Sequence, residues 1–361
     1  MNFQINSTLF TSDIHFNNEI IIKSFNKNYN VFYENLNLYE IISNNYKEND
    51  FILIDENVYN LDKQPFINKL DNMLLFNANE DNKNIEQVLK LCDILLEKKF
   101  TKKNKLIVIG GGITQEIGGF CACIFKRGID WIFVPTTVLS MTDSCIGSKV
   151  SINRHSKNML GVFTSPNKII ISDFFIKSLK PNDIISGIGE SLKLCLIGGD
   201  NTFQLFKDTW VQKDYISIIK LSSLVKKVII EHDEFEINDR KILNYGHSIG
   251  HALESTTDYF IPHGIAVLIG MYIKNLLFYD NKYEDINNLI LEMVDPIFLS
   301  VQLNYTNFIK HLLNDKKNNG DTICFILLEE IGKSIIVYKK KSEIEMKLKE
   351  IFKQLFINYN E

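Results

Sequence analysis

The residues best suited to chemistry lie in LNYGHSIGHALE and, shortly after it, IPHGIAV. His247 and His251 are four residues apart, so on a helix of about 3.6 residues per turn they share a face. His263 follows at what reads as the start of the next helix, and Glu190 lies in the helical stretch SGIGESLKLC. Imidazole and carboxylate are the donors a catalytic Zn²⁺ takes, with three protein ligands and a position left open for substrate. Three of the chain's seven histidines cluster here, and imidazoles buried in apolar helices each need a polar partner. A metal ion meets that need for all of them. The spacing does not say which three groups would ligate.

A glycine turn is the second candidate. KLIVI reads as a buried strand that runs into Gly110, Gly111 and Gly112, and ITQEIGGF continues as a helix. Glycine lets backbone approach a ligand closely, and a helix N-terminus offers N–H groups to a phosphate. The spacing is not the GxGxxG of the usual dinucleotide fingerprint, so taken alone a tight corner explains it equally well. Basic residues form the third group. Lys149, Lys157 and Asn158 lie among small residues in DSCIGSKVSINRHSKNMLG, and Lys193 follows Glu190 by one helical turn. Lys226 and Arg240 flank the acidic run EHDEFEIND, and Lys316 and Lys317 sit in LNDKKNNGD. A lone lysine is ordinarily a solvated surface residue. Beside glycine turns and metal-type donors, the set suits a small anion.

These groups need elements to hold them. FILIDEN (51–57), NMLLF (72–76), KLIVIGGG (105–112), WIFVPTT (131–137) and KIIIS (168–172) read as buried strands. The amphipathic stretch IEQVLKLCDILLEKK (85–99) reads as a helix between them. Strands alternating with helices predict a mostly parallel α/β layer. From PNDIISGIGESLKLCLI onward the texture is helical, with LSSLVKKVIIEHDEFE and GIAVLIGMYIKNLLFY as strong examples. The expected division is therefore an α/β domain over 1–174 and an all-helical domain over 175–361.

At 361 residues, with 45% hydrophobic and 23% charged residues, the chain has the balance of a soluble globular protein of two domains. A net charge of −4 implies no strong pull toward nucleic acid or membranes. The six cysteines are scattered through apolar stretches without a CxxC pair, as expected of buried thiols in a reducing cytosol. MNFQINSTLF has neither a basic nor an apolar leader region, and no run approaches the ~18 apolar residues of a membrane span. The chain reads as cytoplasmic.

GGGITQEIGGF, KRG, VPTTVLSMTDSCIGSKVSIN, KNMLGVF, SGIGESLK, RKILNYGHSIGHALE, PHGIAV and NDKKNNG occur in the order and spacing of one family. The chain resembles the 3-dehydroquinate synthases, a family of sugar-phosphate cyclases, from about residue 50 to 335; the first forty residues match poorly. The resemblance implies an α/β dinucleotide-binding domain followed by an all-α domain. It also implies NAD and Zn²⁺ as cofactors, with Co²⁺ the alternative ion. Glu190, His247 and His263 fall on the family's metal ligands, which leaves His251 to contact substrate. Lys149, Asn158, Asn244, His251 and Lys316 or Lys317 fall around the substrate phosphate. Arg127, in KRG, matches an arginine that reaches across a homodimer into the neighbouring pocket. Lys193, Lys226 and Arg240 match the set that handles the substrate carboxylate and hydroxyls, and Asp143 and Glu236 match further polar positions. Asp55, Asn57, Glu80, Lys83, Gly110, Gly111, Gly112, Glu116, Thr136 and Thr137 fall on NAD-contacting positions.

Two departures stand out: Gln115-Glu116 replaces the family's usual Gly-Asp, and Gly147-Ser148-Lys149 replaces Gly-Gly-Lys. The implied reaction converts 3-deoxy-arabino-heptulosonate 7-phosphate into 3-dehydroquinate and phosphate, a step of the shikimate route to aromatic amino acids. Relatives that cyclise sedoheptulose 7-phosphate or make inososes act on substrates without a carboxylate. Retention of Lys193, Lys226 and Arg240 together favours the carboxylated substrate over those, and the Lys149, Asn158 and His251 set argues against a metal-dependent polyol dehydrogenase of the same architecture.

Overall fold

A computed structural model describes residues 1–61, 70–314, 318 and 320–360. Lys316 and Lys317 lie outside the described residues. The chain divides into a sheet unit, residues 15–180 and 226–235, and a helical unit, residues 1–14, 181–225 and 236–361. This differs from one cut at 174/175, because both units take chain from two or more separate segments.

The sheet unit is built on seven strands in the spatial order Glu19–Ile22, Tyr29–Glu34, Lys168–Ser172, Asp130–Pro135, Lys105–Gly110, Phe51–Asp55, Met73–Phe76. The first two pair antiparallel; every other pairing is parallel. Phe51–Asp55 and the core of Lys105–Gly110 are buried on both faces, which is why they read as unbroken apolar runs. From Phe51–Asp55 the chain goes outward to the edge strand Met73–Phe76, then returns to the opposite side at Lys105–Gly110. In open parallel sheets ligands bind beyond the carboxyl ends of the strands at such a reversal. Asp55 ends one of these two strands, and the Gly110–Gly112 turn follows the other. The residues 19–34, which carry little of the family pattern, extend this sheet at its far edge.

The helical unit owes its packing to glycine. Helix Pro181–Ile197 and helix His263–Tyr279 approach so closely that a Cβ on Gly264 would lie 1.6 Å from the Ser186 carbonyl oxygen. One on Gly189 would lie 2.4 Å from the Gly264 carbonyl oxygen. Helix His247–Thr256 meets the same central helix at Gly270, whose Cβ would stand 2.2 Å from the Gly246 carbonyl oxygen. Gly246 itself caps that helix at φ +84°, a left-handed conformation that favours glycine.

The all-helical expectation is corrected. This unit also holds a four-stranded sheet in the order Thr322–Glu330, Lys333–Lys340, Asn2–Ile5, Thr8–Thr11. Asn2–Ile5 pairs parallel with Lys333–Lys340, more than three hundred residues away in sequence, and no local pattern announces such a partner. Among the described residues no helix is long and apolar enough to cross a membrane.

Gly264→Ala should destabilise the folded protein by about 3 kcal/mol or more, because backbone rather than a flexible side chain occupies the space. Denaturant unfolding against the parent chain measures it.

Candidate functional site

In the helical unit the glycine contacts deliver four side chains to one place. Glu190 is fully buried, and its Oε1 stands 3.5 Å from His247 Nε2 and 3.4 Å from His263 Nε2. Lys193, one turn further along the same helix and 1% exposed, donates to Glu190 Oε2. The other carboxylate oxygen is thereby turned to the histidines. The ligand atoms of His247, His251 and His263 all lie within 4.8 Å of one another. Glu190 thus meets two of three mutually close imidazoles, and neutral imidazole with carboxylate fits Zn²⁺ or Co²⁺.

The outer ring nitrogens are held as metal-site histidines are held. His247 Nδ1 donates to the Tyr245 carbonyl at 3.1 Å, which puts the lone pair of the neutral ring on Nε2, the nitrogen that faces Glu190. His263 Nδ1 lies 3.0 Å from Glu254 Oε2, and Glu254 is 3% exposed. Burial opposes charge on the His263 ring, but Glu254 and Glu190 outweigh it and push its pKa up to about 10. The ring thus carries positive charge between two buried carboxylates, a position whose charge and donors also suit a metal ion. Glu254 has no place in the sequence reading. Its signal is faint: a carboxylate in HALE, one helical turn beyond His251 on the face the histidines share.

In the sheet unit a second cluster forms below the glycine turn. Lys83 Nζ lies 2.5 Å from Glu116 Oε2 and donates to Asn158 Oδ1 at 2.6 Å. Ser151 donates to Glu116 Oε1 at 3.0 Å, and Asn153 donates to Glu80 Oε1 at 2.8 Å. Burial raises the Glu116 pKa, and the Lys83 ammonium draws it back. Asp55 is likewise raised by burial, against hydrogen bonds from the Asn57 backbone and amide at 2.8 and 3.1 Å. Asn158, which the resemblance put with the phosphate, therefore sits among residues expected to hold the dinucleotide. Gly111 caps helix Gly112–Ile124 with no side-chain hydrogen bond, and a Cβ there would stand 3.2 Å from Thr137 Cγ2. Thr136 N donates to the Gly110 carbonyl at 3.0 Å, joining the two strand ends. A helix N-terminus without a side-chain cap, beyond a sheet's reversal point, suits a pyrophosphate.

Both departures from the family pattern find internal partners. Gln115 donates to the Ser144 carbonyl at 2.8 Å and accepts from the Ser144 hydroxyl at 2.6 Å. The larger side chain is thus buried beneath the π-helical turn Ser140–Ser144. Ser148 sits at φ +60°, where glycine costs nothing. Its hydroxyl donates to Glu234 Oε1 at 2.6 Å and meets the Ser165 hydroxyl at 2.7 Å. Glu234 also accepts from Ser24 Oγ and from the Phe25 N–H, both at 2.7 Å.

The remaining expected residues fall as follows. Lys226 Nζ pairs with Asp143 Oδ1 at 2.7 Å within the sheet unit. Asn244 donates to Glu236 Oε1 at 2.9 Å, and Arg240, 4% exposed, lies just before Asn244 in the helical unit. Lys149 is exposed at the start of a hairpin, in register with Phe163. Arg127 is exposed in a turn where Lys126, Arg127 and Gly128 all have positive φ.

Residues 73–186 match the family model described as 3-dehydroquinate synthase N-terminal, and residues 187–318 match 3-dehydroquinate synthase C-terminal. The chain belongs to the 3-dehydroquinate synthase family. It is 37% identical over 279 residues to the 3-dehydroquinate synthase of Pelagibacter ubique (strain HTCC1062), covering 72% of this chain and 76% of that one. It is 36% identical over 343 residues to that of Staphylococcus haemolyticus (strain JCSC1435), covering 88% and 94%. Among solved structures, a 2-deoxy-scyllo-inosose synthase complexed with carbaglucose-6-phosphate, NAD⁺ and Co²⁺ shares the fold at a TM-score of 0.78. That likeness has 21% identity over 92% of this chain and 99% of that one. The family's fold is thus an α/β sheet unit with a helix-rich partner, as this chain has it.

Glu254→Gln should weaken metal binding about 10- to 100-fold, as loss of a carboxylate behind a ligating histidine does. Titration of the metal-free protein with Zn²⁺ or Co²⁺ reads this directly. Ser148→Ala should destabilise by about 1–3 kcal/mol, since it keeps the left-handed backbone and loses the bonds to Glu234 and Ser165. Ser148→Gly, which relieves the backbone, should cost less in the same unfolding measurement.

Proposed function

We propose that the chain acts as a 3-dehydroquinate synthase, an NAD- and metal-dependent carbon–oxygen lyase. It converts 3-deoxy-arabino-heptulosonate 7-phosphate into 3-dehydroquinate and inorganic phosphate, in the cytosol and as a homodimer. The observation that carries the reading is the convergence of Glu190 with the three histidines, beside a buried Lys193, in a chain of this family.

Glu190, His247 and His263 would hold the metal ion, with His251 left for substrate. Asp55, Asn57, Glu80, Lys83, the Gly110–Gly112 backbone, Glu116, Thr136 and Thr137 would hold the dinucleotide. When bound, the two groups supply Lewis acidity at a substrate oxygen and a reversible acceptor for hydride, so the reaction carries no net redox change. The chain's own residues bind and orient. Arg240 is suited to grip the substrate carboxylate through two parallel N–H bonds, and its burial excludes competing water. Lys193 and Lys226 would bind the hydroxyls, each already held by an acid, Glu190 and Asp143. Glu236 keeps the Asn244 amide turned by the bond between them. For the phosphate the resemblance names Lys149, Asn158, Asn244, His251, Lys316 or Lys317, and the partner subunit's Arg127. Held in place, the phosphate itself can take the proton from the carbon beside the leaving group, and proximity supplies much of the rate.

Purified protein with NAD⁺ and Zn²⁺ is given 3-deoxy-arabino-heptulosonate 7-phosphate and then sedoheptulose 7-phosphate, with phosphate assay and product NMR. Phosphate and 3-dehydroquinate from the first alone, without accumulating NADH, is the expected result. Turnover of the second alone would assign the chain to cyclitol synthesis. Arg240→Ala should lower kcat/KM for the carboxylated substrate about 100-fold or more, and unchanged kinetics would remove Arg240 from the carboxylate site.

A further inference from the structure

Two thiols meet inside the sheet unit. Cys92, on helix Ile85–Glu97, and Cys121, on helix Gly112–Ile124, have their sulfurs 3.5 Å apart. Cys121 is fully buried, whereas Cys92 is partly exposed. The same two helices are joined nearer their N-terminal ends by the Lys83–Glu116 ion pair, Lys83 lying just before the first helix.

We propose that Cys92 and Cys121 are a reversible redox pair, converted by a peroxide into a disulfide that ties these two helices together. A disulfide needs about 2.05 Å between sulfurs, so closing it takes a shift of about 1.5 Å, within reach of side-chain rotation and a small helix adjustment. Burial sets the order of events. The peroxide reaches Cys92, whose sulfur attacks one peroxide oxygen; the O–O bond breaks, leaving a sulfenic acid and one water. The Cys121 sulfur then attacks the Cys92 sulfur, the S–O bond breaks, and a second water leaves with the Cys121 proton. Two thiols lose two electrons and two protons, and one peroxide becomes two waters. The hydrogen bond with Cys121 draws the Cys92 thiol below its ordinary pKa against burial, which favours the attacking thiolate. Cys123, also partly exposed, is by contrast raised by burial. A thiol pair of this kind in a reducing compartment is characteristic of redox sensing rather than of structural cross-linking.

The full-length protein is treated with hydrogen peroxide, denatured with an alkylating agent present, and mapped by peptide mass spectrometry. The expected result is a Cys92–Cys121 cross-linked peptide, two of the six thiols lost to alkylation, and full recovery with dithiothreitol. In Cys92→Ser, Cys121 should stay reduced because solvent does not reach it. In Cys121→Ser, which keeps the exposed thiol, a sulfenic acid at Cys92 should be trapped by dimedone. Sulfinic or sulfonic acid on Cys92 without a cross-link, a cross-link through Cys123, oxidation of Cys121 in Cys92→Ser, or six thiols still alkylated would each overturn the proposal.

Discussion

The helical half of the molecule depends on how closely two backbones can approach. Helix Pro181–Ile197 and helix His263–Tyr279 pack backbone against backbone, and that close approach is what sets the Glu190 carboxylate against the histidines. Gly189 and Gly264 remove the Cβ atoms that would forbid this, and Gly246 and Gly270 do the same on the next contact. Glu190 follows Gly189, His263 precedes Gly264 and His247 follows Gly246, so each donor is the immediate neighbour of a contact glycine. The packing constraint and the chemistry are therefore written into the same dipeptides.

Burial then decides the electrostatics. A carboxylate at zero exposure is tolerated because Lys193 takes one oxygen, while the other faces imidazole nitrogens at 3.4 and 3.5 Å. Glu254 adds a second buried negative charge behind His263. Positive charge answers both carboxylates, the Lys193 ammonium at Glu190 and a proton on the His263 ring that lies between them. The same balance recurs in the sheet unit, where Lys83 answers the half-buried Glu116 and Lys226 answers Asp143.

The sequence departures show how a site keeps its geometry while its residues change. Ser148 occupies a backbone conformation natural to glycine, and its bonds to Glu234 and Ser165 hold that turn at the start of the Lys149 strand. Gln115 fills its space by a reciprocal pair with Ser144. Each polar side chain introduced into a buried turn has been matched with a partner, as burial requires.

The sequence by itself determined the parallel strands, the glycine turn, the helices bearing Glu190, His247 and His263, and the family that unites them. Those signals are local, carried by apolar runs, glycine spacing and i,i+4 histidines, so neighbouring residues suffice to express them. Only the tertiary structure decided the rest. The N-terminal hairpin joins the helical unit because its partner Lys333–Lys340 lies at the far end of the chain. Glu254 acquires its part from His263, nine residues on and on another helix. Asn158 meets Lys83 because the hairpin that carries it folds back over the segment after Glu80. Contacts between distant segments depend on how elements pack, and no period or motif in either segment encodes its partner.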